Sequence, residues 1–171
     1  MDEIKNKIRD IADFPEPGIL FKDITPLMQD PVLLRQAVEL LIFPYRNSNI
    51  TAVAGMEARG FIFGSLAASM LGVGFIPLRK PGKLPHTTHK VEYQLEYGET
   101  SLEIHADAVA EEDNILIVDD VLATGGTAKA SCELIQLLGG NVVACAFLLE
   151  ITALNGRSML PNTSVHSVIQ Y

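Results

Sequence analysis

Two adjacent carboxylates at the end of an apolar run, followed at once by small residues and hydroxyls, make ILIVDDVLATGGTA, residues 115–128, the chemically richest stretch of the chain. Thr124, Gly125 and Gly126 let backbone N–H groups come close to an anion, Thr127 adds a hydroxyl, and the helix expected to follow adds its positive N-terminal end. A phosphomonoester fits such a cradle. Asp119 and Asp120 would repel it unless they face hydroxyl donors or a divalent cation, and a ribose diol supplies donors at that distance. The run is neither a Rossmann glycine pattern nor a Walker A loop, because it lacks G-x-G-x-x-G and has no Lys after the glycines.

Two further loops carry complementary chemistry. In AGMEARGF, Arg59 stands beside Gly60, so backbone amides and one guanidinium can hold a diphosphate oxygen. In PLRKPGKLP, Arg79, Lys80 and Lys83 gather cations, with Lys90 shortly after. The chain of 171 residues has 13 Lys+Arg against 21 Asp+Glu, a net charge of −8. Against that acidic background a local basic run implies an anionic small molecule, while the overall balance argues against DNA or RNA as a partner. His86 and His89 have no further ligands at metal-binding spacing. Cys132 and Cys145 lie in apolar periodic stretches and read as reduced core thiols.

The elements that must position these residues follow from periodicity. The runs ITAVAG, FIFGSLAASML and VGFIPL read as strand, helix and strand, and NILIVDDV, TAKASCELIQLL and NVVACAFLLE repeat that order. Short continuous apolar strands separated by helices indicate a parallel sheet covered on both faces, whose ligands bind beyond the carboxyl ends of the strands. VEYQLEYGETSLEIH alternates around Gly98 as a hairpin would, and as a lid it would exclude water from a reactive centre, with Glu96 and Tyr97 as its candidate residues. Near the N-terminus, Ile4, Ile8 and Ile11 are spaced for one face of a helix stopped by the cluster from Pro15 to Gly18. GILFKDITPL reads as a loop or short extended piece. Asp30 and Pro31 have the chemistry of an N-cap and first helical position for VLLRQAVELLIF. The tail after residue 155 carries no assignable pattern. No domain boundary is visible across residues 1–171. No apolar run approaches the ~18 residues of a membrane span, and the N-terminus lacks a signal-peptide core, so a cytoplasmic protein without membrane contact is expected.

VDDVLATGGT resembles the phosphoribosyl pyrophosphate motif of type I phosphoribosyltransferases. Together with FPEPGILFKDITPL, GMEARGFIFG, LRKPGKLP and LEYGETSLEIH, in this order from about residue 14 to 156, it is similar to the adenine phosphoribosyltransferase family. The resemblance implies an α/β fold of type I phosphoribosyltransferase architecture. A central, mostly parallel sheet would be flanked by helices, with an N-terminal helix and base-binding hood over residues 1–35 and a β-hairpin lid over 86–106. It implies that Phe21 stacks on adenine while backbone groups near Leu20 and Lys22 read the base edge. Asp119 and Asp120 would contact the ribose hydroxyls, and Ala123, Thr124, Gly125, Gly126 and Thr127 the 5-phosphate. Arg59, Arg79, Lys80 and Lys83 would serve the pyrophosphate, with Tyr97 also at the substrate.

The implied reaction is attack of adenine N9 on the anomeric carbon, giving AMP and pyrophosphate, with Glu96 and Arg59 as catalytic residues. It further implies Mg²⁺ held mainly by substrate oxygens and a homodimer in which Arg79 acts across the interface. The turn AEEDN departs from the Pro-Gly turn common in the family, at a place away from these residues. A phosphoribosyltransferase for a 6-oxopurine would share the motif but not the hood. A non-catalytic sensor of phosphoribosyl pyrophosphate that binds DNA would need a basic module that the sequence does not contain.

Overall fold

The computed structural model describes residues 1–95 and 98–171, with side chains described outside residues 94–99. Its contacts divide the chain into two compact units, Met1–Leu40 and Leu41–Tyr171.

The smaller unit begins with a short helix, α1 (Asp2–Asn6), and continues as a two-stranded antiparallel hairpin of β1 (Arg9–Ala12) and β2 (Leu20–Asp23). The helix expected to carry Ile4, Ile8 and Ile11 therefore stops at Asn6, and Ile11 lies on a strand opposite Phe21. Pairing with a distant segment overrides the local helical spacing. Arg9 is registered with Asp23 and Asp10 with Lys22, and both pairs are ionic, at 2.8 and 2.6 Å. Opposite charges facing each other across strands favour that register by roughly 0.2–1 kcal/mol each. The connecting turn is closed by Asp13, whose Oδ1 accepts the Gly18 N–H at 2.7 Å, with Gly18 at φ +88° where a side chain would be strained. After a single turn, α2 (Thr25–Met28), comes α3 (Pro31–Ile42), where Asp30 Oδ1 accepts the Leu33 N–H at 3.2 Å as the sequence leads one to expect of a cap. A 3₁₀ turn over Phe43–Tyr45 follows at Pro44.

The larger unit is built on five parallel strands in the order β4-β3-β7-β8-β9. They are β3 (Ala52–Met56), β4 (Gly74–Leu78), β7 (Asn114–Leu122), β8 (Asn141–Glu150) and β9 (Val165–Gln170), with α4 (Gly60–Leu71) and α5 (Gly126–Leu137) as connections. All five residues of β3 are buried, as a strand covered on both faces must be. On one face Ile115, Ile117, Cys145 and Phe147 pack with Cys132 and Ile135 of α5 and with Leu102 and Ile104 of a separate hairpin. That hairpin pairs β5 (Thr88–Leu95) with β6 (Gly98–His105), and β6 meets the chain just after β4 through paired backbone bonds between Arg79 and Glu103. Against the other face lies α4, where Gly55 and Gly64 make room for the Phe75 ring. Phe63 of α4 is fully buried, and truncating such a side chain to Ala costs about 3–5 kcal/mol. Cys132 and Cys145 are free and buried, with sulfurs 3.6 Å apart. The tail that the sequence leaves unassigned supplies β9, parallel to β8. Among the described residues no helix is long and apolar enough to cross a membrane.

Candidate active site

Parallel register brings the ends of three strands together. Met56 pairs with Leu78 and Gly55 with Val118, so the loops that follow β4, β3 and β7 leave from one edge of the sheet. Those loops hold Arg79 and Lys80, Arg59, and residues 123–125, with Asp119 and Asp120 near the end of β7 itself.

The pocket at this edge is lined by Asp119, by residues 121–128, and by Met56 and Phe147. Gly125 occupies the N-cap of α5 at φ +87°, and neither a side-chain cap nor an acidic residue occupies the first turn. The unpaired N–H groups of that turn are therefore open to an anion. A Cβ at Gly125 would collide with the Gly156 carbonyl, and one at Gly156 with the Ala123 carbonyl, so the loop is seated directly on the turn that contains Gly156. The Thr127 hydroxyl donates to the Tyr93 hydroxyl at 3.3 Å, tying α5 to β5.

The two aspartates part company. Asp119 lines the pocket, and its Oδ1 accepts the Asp120 N–H at 2.8 Å. Asp120 is not among the lining residues; its side chain is 5% exposed and its Oδ2 lies 2.8 Å from Arg59 Nε. Burial, joined by the neighbouring Asp120 charge, pushes the Asp119 carboxyl well above the usual carboxylate range. Asp120 is also raised by burial, with the Arg59 guanidinium opposing. Gly60 permits this assembly, because a Cβ there would lie 2.6 Å from Asp119 Oδ1 and 3.1 Å from the Val118 carbonyl.

Glu57, which the sequence reasoning passed over, organises the third loop. Its Oε2 receives Arg79 Nε at 3.2 Å and the Lys80 N–H at 2.9 Å, and the Glu57–Ala58 peptide is cis. Burial alone would raise this carboxyl, but the Lys80 N–H and the Arg79 guanidinium outweigh it and hold it below its ordinary value. Arg79 also donates to the Lys83 carbonyl at 3.0 Å and stands over the Phe61 ring, 5.9 Å from its centroid. Lys80 and Lys83 are exposed. A lone acid among small residues at the end of a buried strand was the available signal for Glu57.

Of the residues singled out from sequence, Arg59, Arg79, Lys80, Asp119, Asp120 and residues 123–127 come to this one edge. Leu20, Phe21 and Lys22 belong to the smaller unit, where Leu20 is exposed, Phe21 meets Phe14 edge-to-face at 5.1 Å, and the Lys22 ammonium is buried against Asp10. Glu96 and Tyr97 lie outside the described residues.

A parallel sheet whose β7-to-α5 turn opens an uncapped helix start into a pocket beside an acidic pair is the arrangement of a phosphoribosyltransferase. Residues 28–167 match the model of the phosphoribosyl transferase domain, and the chain belongs to that family. Within it the chain falls among the adenine phosphoribosyltransferases. The enzyme of that name from Methylococcus capsulatus is 60% identical over the full length of both chains. The crystal structure of the one from Rhodothermus marinus superposes with a TM-score of 0.95 at 52% identity, covering 99% of this chain and 97% of the other. That of the Saccharomyces cerevisiae enzyme, complexed with an imino-altritol bisphosphate and adenine, gives 0.93 at 38% identity over 98% and 97%.

Proposed function

We infer that the protein transfers the 5-phosphoribosyl group of phosphoribosyl pyrophosphate to N9 of adenine, releasing AMP and pyrophosphate. The observation that carries this reading is the open α5 N-terminus with Gly125 at its cap, beside Asp119 inside the pocket, with Arg59 paired to the adjacent Asp120. The N–H groups of residues 123–127 and the Thr127 hydroxyl hold the 5-phosphate, and Asp119 accepts from a ribose hydroxyl. Asp120, beside it, is the second carboxylate for the ribose hydroxyls, with its Oδ2 2.8 Å from Arg59 Nε.

The bond from the anomeric carbon to pyrophosphate breaks as the bond to N9 forms, so negative charge grows on the leaving group. Arg59, Arg79, Lys80 and Lys83 neutralise it there. Leu20, Phe21 and Lys22 form the adenine hood, with the Phe21 ring stacking on the base. Glu96 handles the proton at the base or supports the cationic sugar, and Tyr97 is a further substrate-binding residue. Among the described residues no three metal-binding side chains stand together, and Asp119 is an oxygen donor open to the pocket, a donor set that fits a hard cation arriving with its substrate. Mg²⁺ would be held mainly by its substrate, with Asp119 as the carboxylate facing it, and would supply charge neutralisation at the leaving group.

The active form is a homodimer in the cytosol, with Arg79 acting across the interface. Ile62 and Leu66, one turn apart on α4 and 37% and 36% exposed, support an apolar contact next to the Phe61–Arg79 pair. Purified protein mixed with Mg²⁺, phosphoribosyl pyrophosphate and adenine, hypoxanthine or guanine tests the reading. AMP from adenine alone is expected, and IMP or GMP instead would overturn the assignment of the hood.

A further inference from the structure

We propose that Arg157 is a positioning residue of the phosphoribosyl site, acting through Gly156 to hold the back wall of the 123–127 loop. The proposal rests on the reading that this loop holds the 5-phosphate.

The 3₁₀ turn Gly156–Met159 follows β8 and lies directly behind that loop. Gly156 is buried, and its packing against Ala123 and Gly125 leaves no room for a Cβ on either glycine. Packing this close transmits any displacement of the turn into the loop. What fixes the turn is ionic. Arg157 grips Glu150, the last residue of β8, with two parallel bonds of 2.7 Å from Nε and Nη2. The same guanidinium reaches β9 through the Val165 carbonyl at 2.9 Å and the Ser167 hydroxyl at 3.3 Å. Gln170 donates to the second Glu150 oxygen at 3.1 Å. Glu150 is 4% exposed, so its charge needs this fork. The planar, two-pronged geometry explains why the position carries Arg, since a Lys could make only one of the two bonds.

None of these groups lines the pocket, so the effect on substrate is indirect. A phosphate cradle made of backbone N–H groups depends on sub-ångström placement, and the wall behind it sets that placement.

Arg157→Ala, Arg157→Lys and the milder Gln170→Leu, compared with Thr127→Ala inside the loop, test this. The readouts are KM for phosphoribosyl pyrophosphate, KM for adenine, kcat and melting temperature. Arg157→Ala is expected to raise KM for phosphoribosyl pyrophosphate about tenfold with KM for adenine unchanged, and Gln170→Leu about twofold in the same direction. Arg157→Lys should fall between wild type and Ala. A lower melting temperature with an unchanged KM for phosphoribosyl pyrophosphate would reduce Arg157 to a purely structural role and overturn the proposal. Should Arg157→Ala not fold, Gln170→Leu decides by the same criterion. If Thr127→Ala also leaves that KM unchanged, the reading of the loop itself fails. If Thr127→Ala raises it and the Arg157 and Gln170 variants do not, only the positioning role fails.

Discussion

Asp120 Oδ2 lies 2.8 Å from Arg59 Nε, on a carboxylate whose side chain is 5% exposed, while the adjacent Asp119 lines the pocket. Successive side chains on a strand point to opposite faces, so one acid faces the pocket and the other the Arg59 guanidinium. The acidic pair is thus two devices with separate consequences.

Asp119→Asn should make the protein more stable and nearly inactive. Burial and the Asp120 charge raise the folded-state pKa of Asp119, so the fold favours its protonated form. That stability is fully present below the unfolded pKa and is lost as pH rises through the folded one. The cost of burying this carboxyl grows as pH rises above its ordinary range, and Asn, which has no proton to lose, removes it, by roughly 1 kcal/mol at neutral pH, in the usual exchange of stability against activity at a functional site. Melting temperatures measured at pH 8 and pH 5 should show a larger gain at pH 8. An equal gain at both would mean that the carboxylate charge is not its source.

Gly60→Ala should damage the site from outside the pocket. The added methyl would lie 2.6 Å from Asp119 Oδ1 and 3.1 Å from the Val118 backbone carbonyl, so α4 or the end of β7 must shift. Overpacking of this kind costs about 1–3 kcal/mol. Denaturant melts together with KM for phosphoribosyl pyrophosphate check it, and both should worsen. Unchanged values would show that the helix start yields freely.

Glu150→Gln should weaken the protein at neutral pH and matter less in acid. The Arg157 fork lowers the Glu150 pKa to about 2. A depressed carboxylate stabilises the fold above its unfolded pKa, near 4.5, and the benefit fades as pH falls toward about 2. Arg157 is 42% exposed, which screens the pair, so a loss of about 2 kcal/mol at pH 7 is expected. Urea unfolding of both proteins at pH 7, 4 and 3 should show the gap narrowing. A gap that stays constant with pH would place the effect in packing instead of charge.

Two repeats of strand, helix and strand, the hairpin around Gly98, the Asp30 cap and the small-residue turn into α5 were all legible in the amino-acid order. Each is a short-range property: apolar runs, turn residues, and a run of consecutive small residues between strand and helix. The sequence by itself therefore determined the parallel sheet and the chemistry along one of its edges. Tertiary structure decided the rest. Ile4, Ile8 and Ile11 carry helical spacing, yet pairing between β1 and β2 made the stretch from Arg9 a strand, because hydrogen bonds and cross-strand charges 12 and 14 residues apart outweigh a weak local preference. The final strand, Val165–Gln170, has no clean alternation, since its place is set by the edge of β8 and by Arg157 bonds to Val165 and Ser167. Glu57 and Glu150 looked like ordinary acids, and only the approach of Arg79, Lys80 and Arg157 through space gave them work, because an ion pair leaves no periodic trace in the chain that folds to make it.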